Sequence, residues 1–154
     1  MIATLLALLI GVVAGLRTMT APAAVSWAAH LGWLHLDGSW LAFLGYAWTA
    51  WILTLLALVE LVTDQLPSTA SRTVPVQFGA RIVTGALSGG AIGASTGSLT
   101  LGAIAGIVGA VIGTLGGRAV RAKLAAAFGK DPPAAFIEDA FAIAAAFVIV
   151  MVVR

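Results

Sequence analysis

The chain has no cysteine, two histidines and five prolines in 154 residues. Without a thiol there is no disulfide framework and no thiolate metal site, and the redox compartment stays open. Charge is scarce too. Asp, Glu, Lys and Arg make up 9% of the residues, against about a quarter in a soluble protein. Eight Lys and Arg against six Asp and Glu leave too small a surplus for an electrostatic footprint on nucleic acid, so no nucleic-acid partner is expected. There is no HExxH pattern, and Ser26, Ser88 and Ser95 have no evident base at the same depth. A catalytic role is therefore not expected. What the chain does contain is hydrocarbon, at 61% of its residues. This composition and length read as a single integral membrane domain over residues 1–154, with the lipid bilayer as its first partner. Met1 leads straight into Ile2-Ala3-Thr4-Leu5 without a basic region, so the first apolar segment is expected to belong to the fold and not to a cleaved leader.

The apolar stretches predict an all-α, polytopic transmembrane bundle of about six segments: Ile2–Leu16, Ala23–Leu36, Trp40–Leu66, Phe78–Gly97, Leu99–Gly117 and Ala134–Val153. Residues 1–66 form a first half and residues 78–154 a glycine-rich second half, separated by the polar loop Pro67–Pro75. Segment one is short for a hydrocarbon core of roughly 30 Å. Gly15 and Pro22 bracket a helix break around Arg17, Thr18 and Thr20. Backbone that is neither helical nor hydrated at membrane depth must be buried in protein or line a cavity, so the break is a candidate site wall. Segments one and two either cross in full or re-enter. Trp40, Tyr46, Trp48 and Trp51 cluster at one end of segment three, as rings at headgroup level do.

Thirteen of the eighteen glycines lie at or beyond Gly79. Gly85, Gly89, Gly93 and Gly97 recur every four residues, as do Gly102 and Gly106, then Gly109, Gly113 and Gly117. Small residues at that spacing let helix backbones approach closely in lipid. The stripe serves either a packed hairpin turning at Gly97-Ser98 or a homo-oligomer joined through the glycine faces.

Counted as six crossings, the segments leave Arg17, Arg72, Arg118, Arg121, Lys123 and Lys130 on one side, Arg81 just inside it, and only Arg154 opposite. Basic loops mark the cytoplasmic side. His30 and His35 fall on the far side and are read as interfacial or packing residues.

Two acidic pairs interrupt the hydrocarbon. Glu60 and Asp64 stand four residues apart near the end of segment three, facing the same way on a helix, and Glu138-Asp139 enter segment six in the mirror position. Ionisable groups in a span are read as functional by default, and like charges held together require a cation or arginine among them. One reading is a cation or proton site on Glu60, Asp64, Glu138 and Asp139, with Thr18, Thr20, Thr63 and Gln65 as auxiliary oxygens. Arg17 and Arg81 would be counter-charges or gates. A second is a buried ion-pair network that only holds the fold. A third comes from the echo between Gly15-x-Arg17-x-x-Thr20 and Gly79-x-Arg81-x-x-Thr84, which marks a weak internal repeat of the kind transporters use. It puts an arginine near the start of each of two helices, where the dipole also favours anions, and so motivates an anion or lipid-phosphate carrier on Arg17 and Arg81.

Gly15-x-Arg17 followed by Thr20 and Pro22, then Glu60-x-x-x-Asp64-x-x-Pro67, and lastly Glu138-Asp139-Ala140 together resemble the small bacterial membrane proteins catalogued as domain of unknown function forty-one twenty-six. The resemblance covers nearly the whole chain. It implies no activity, and it implies that the two acidic pairs belong together in a multi-pass protein of the bacterial inner membrane. The expectation is a small transporter or channel for a divalent metal or proton, with a bound divalent cation as the one cofactor such a site would take.

Overall fold

A computed structural model describes residues 1–66 and 71–154. Among them the chain is entirely helical: six α-helices and one 3-10 helix, with no strand. Helix α1 runs Ile2–Leu16, α2 Thr20–His30, α3 Ala47–Thr63, α4 Pro75–Ser95, α5 Leu99–Phe128 and α6 Asp131–Val153, and the 3-10 helix takes Trp40–Gly45. Two helices, α5 and α6, are long and apolar enough to cross a membrane, with mean hydropathies of 2.0 and 2.4. Helices α1 and α3 are apolar but shorter, and α2 has 11 residues. Four of the six expected segments therefore lack the length or apolarity of an independent span.

Several boundaries differ from the sequence expectation, each for a local reason. The break between α1 and α2 occupies only Arg17–Met19. Gly15 is still helical, and Pro22 sits in the first turn of α2, where a missing N–H costs nothing. Gly15 is there for packing: a Cβ on it would lie 2.6 Å from the Thr114 backbone nitrogen. Segment three is split at Tyr46, whose extended backbone (φ −75, ψ 139) separates the 3-10 helix from α3. The Ser26 hydroxyl donates to the Leu44 carbonyl at 2.6 Å and ties the 3-10 turn to α2. The basic stretch after Gly117, expected as a connector, is helical and extends α5 to 30 residues. Its Ala, Arg, Lys and Leu residues are strong helix formers, and no breaker appears before Gly129, which closes α5 in the left-handed conformation at φ 71. Pro75, Pro132 and Pro133 open α4 and α6.

The core is built around α1, α4 and α5, the most closely packed trio. Their backbones touch with almost no side chain between them. A Cβ on Gly89 would lie 2.8 Å from Gly106 Cα, and one on Gly109 2.8 Å from the Val12 nitrogen. The glycines of α5 thus serve two neighbours within one chain, while Gly79 and Gly116 face open space. At one end of the bundle Ile2, Trp33, Thr96 and Arg154 line a common cavity, so α1 and α2 form a hairpin that starts and finishes there. Its tip lies at the other end, where the charges are.

Candidate functional site

The hairpin tip is held from both sides. Glu60, near the end of α3, accepts the backbone N–H groups of Thr18 and Met19 at 2.7 and 2.8 Å. These are orphan donors at the start of α2, and a carboxylate suits both their hydrogen-bonding need and the positive end of the helix dipole. From the opposite side Arg81 of α4 donates to the carbonyls of Gly15 and Leu16 at 2.7 and 2.9 Å, the orphan acceptors at the end of α1. Glu60 and Arg81 approach each other at 3.9 Å. One charge caps each broken helix end, which makes a non-helical tripeptide tolerable inside a packed bundle.

Arg17 occupies the break and is wholly buried. Its guanidinium bridges Asp64 at the C-terminal end of α3 and Asp139 of α6. The Gln65 amide donates to Asp139 at 3.0 Å. The Gln65 side chain thus serves Asp139 through its nitrogen. Thr18 contributes its backbone N–H, the Thr63 hydroxyl turns back to the Glu60 carbonyl at 3.2 Å, and the buried Thr20 hydroxyl has no partner among the described residues. Arg17 also stands at the end of α1 and Arg81 seven residues into α4, so neither is at the helix start that the repeated motif suggested. Pro67 and the loop to Ala70 lie outside the described residues.

The last carboxylate of the pairs, Glu138, is met by two arginines outside the apolar segments, Arg72 and Arg121. Arg72 holds it in a fork, with Nη2 at 2.5 Å from Oε2, and Arg121 approaches at 3.5 Å. Arg121 is also paired with Asp131 through two bonds of 2.9 and 2.6 Å across the α5–α6 turn. A signal for Arg121 existed: Arg118 and Arg121 are three apart, hence neighbours on one face once the connector is recognised as helix. Nothing comparable marks Arg72, whose partner is 66 residues away. Each of the four carboxylates is thus occupied by an arginine or by backbone N–H groups. Among the described residues no group of three or more His, Asp or Glu side chains comes together to hold a metal ion.

Beside this network opens a cleft of about 350 Å³ lined by Arg72, Arg81, Arg118 and Arg121, with Asp64 and Asp131 as its two acids. Arg118 meets no carboxylate among the described residues and donates only to the Thr73 hydroxyl, at 3.3 Å. Arg81 is 2% exposed, yet its Nε has no partner there. Arg72 and Arg121 are held by Glu138 and Asp131 and Arg81 approaches Glu60, so among the described residues Arg118 is the one cleft guanidinium without a carboxylate partner.

The family model described as Domain of unknown function (DUF4126) matches residues 4–152. The chain belongs to this family. Neither a curated protein nor a solved structure matches it. The family match spans the α1–α2 break, the α3 carboxylates, the arginine cleft and α6 together.

Proposed function

We propose that this member of the family is a multi-pass protein of the bacterial inner membrane that binds an anion in its arginine cleft and serves as a small anion carrier. The observation that carries the reading lies in the cleft: Arg118 lines it with no carboxylate partner among the described residues, and the buried Arg81 beside it has an unpartnered Nε. Guanidinium groups are the preferred partners of phosphate and carboxylate because their planar forks match those oxygens. An anion there would give Arg118 the charged partner it otherwise lacks. In this arrangement the six α-helices act as a bundle at membrane depth, with α1 and α2 as a hairpin supported by α3, α4 and α6. The cleft faces the cytoplasm, since the basic residues gather at its end of the bundle and Arg154 stands alone at the other.

The cation reading has less support, because the oxygens it requires are already engaged by arginines. The test is thermal unfolding of the detergent-purified protein against inorganic phosphate and a panel of divalent cations. A ligand that binds only the folded state raises stability, by roughly 2.7 kcal/mol at 100 times its Kd. Saturable stabilisation by phosphate that is lost in Arg118→Glu is the expected result. Stabilisation by a divalent cation instead, lost in Asp64→Asn, would return the acidic pairs to the role of an ion site. No response to either would leave a purely structural ion-pair network.

A further inference from the structure

We infer that the anion crosses the bundle along one face of α4, with Ser88 at the midpoint of its route. The inference rests on the anion reading of the cleft and adds the path by which a carrier would release its cargo. Gln77 and Arg81 line the cleft. Further along the same helix, Ile92 and Ser95 line a cavity of about 350 Å³ at the opposite end of the bundle, together with His35, Thr96 and Arg154. Gln77, Arg81, Thr84, Ser88, Ile92 and Ser95 follow one another at intervals of three or four, so they share one face of α4. That face is polar at every position but Ile92.

Helix packing accounts for the glycines of α4 but not for these hydroxyls. A Cβ on Gly85, Gly89 or Gly93 would run into the backbone of α5. Ser88 is wholly buried, yet its Oγ has no hydrogen-bond partner among the described residues. A helical serine or threonine can return its proton to the carbonyl four residues back, as Thr114 does to Ala110 at 2.8 Å. Ser88 does not, so it carries a desolvation cost that alanine would avoid. The Arg81 Nε is in the same condition. Two buried, unpaired donors on one face, between two polar openings, are accounted for by a state in which water and the anion reach them. From Arg81 to Ser95 the helix rises roughly 21 Å at about 1.5 Å per residue, most of a hydrocarbon core of roughly 30 Å. Here the route is shut, because Thr84, Ser88 and Ile92 are all buried, and Ile92 closes it toward the far cavity.

Because the chain has no cysteine, a single introduced thiol reports access to its position without background. The experiment compares Ser88→Cys with Ala142→Cys in the full chain purified in detergent. Ala142 of α6 is equally buried but belongs to the apolar core. Both are treated with 2-sulfonatoethyl methanethiosulfonate, a small anionic thiol reagent, with and without inorganic phosphate at the concentration that saturates thermal stabilisation. A buried thiol reacts only when the structure opens around it, so modification of Ser88→Cys is expected to be about tenfold faster or more, and phosphate should slow it. Should Ser88→Cys fail to fold, Thr84→Cys on the same face takes its place. Equal rates at the two positions, with phosphate still stabilising the wild type, would overturn the route and leave the cleft reading standing. Fast modification that phosphate leaves unchanged would also overturn it, since water would then reach Ser88 independently of the anion. No stabilisation of the wild type by phosphate would overturn the cleft reading and the route together.

Discussion

Two arginine sites on different helices have opposite characters. Arg17 is sealed, bridging Asp64 and Asp139 with no exposure to solvent. Arg118 stands on an open wall and has only a hydroxyl to meet among the described residues. The same side-chain chemistry is a clamp in one place and an available donor in the other. What separates them is the supply of carboxylates: α3 and α6 deliver two to Arg17, whereas Asp131 and Glu138 engage Arg121 and leave Arg118 with none among the described residues. Buried pairs of the first kind are costly to break and contribute modestly to net stability. Open guanidinium groups of the second kind matter little to folding and are free to bind.

The comparison is tested most severely at Arg17. Arg17→Gln leaves Asp64 and Asp139 facing each other without a cation, and a loss of about 3–5 kcal/mol is expected. Unfolding in mixed micelles by sodium dodecyl sulfate would measure it. Adding Asp64→Asn and Asp139→Asn should restore much of the loss, and the triple variant being no better than Arg17→Gln would break the clamp reading. Next comes the glycine contact that fixes where the clamp sits. Gly89→Ala drives a methyl group into Gly106, and overpacking of this kind costs about 1–3 kcal/mol. The same unfolding assay reads it, and a neutral result would mean that α4 and α5 are less tightly joined. Glu60→Gln should cost about 1.5 kcal/mol, because the amide offers one uncharged acceptor where the carboxylate offers two charged ones to Thr18 and Met19. Amide exchange at those two N–H groups should quicken. Smallest in stability is Arg118→Gln, expected within about 0.5 kcal/mol of wild type, yet weakening phosphate binding. A large destabilisation there would erase the distinction between the two sites.

Part of this site was legible in the chain. Glu60, Asp64, Glu138 and Asp139 stand out because a carboxylate inside an apolar run has no local explanation, and the Gly15–Pro22 stretch stands out because Gly, Arg and Pro interrupt helical periodicity. The partners were harder to find. Arg72 lies in the polar loop and pairs across 66 residues, a distance at which sequence spacing carries no geometry. Arg121 was hidden because the apolar run stops at Gly117 while helix propensity carries α5 on to Phe128. Gln65 shows the same limit, since an amide can offer either its oxygen or its nitrogen and only the neighbour decides which.

Composition and patterning alone determined that the chain is helical and rich in apolar surface, because hydrophobic runs, breakers and glycine spacing act within a few residues. They also marked the carboxylates as needing positive partners, because an unpaired buried charge is too costly to persist. Tertiary structure decided which arginine answers which carboxylate, that α1 and α2 form a hairpin tipped by Arg17, and that Arg118 is left beside the cleft without a carboxylate. Those outcomes depend on how helices far apart in the chain are stacked, and the stacking is set by backbone contact at glycines whose partners the sequence does not name.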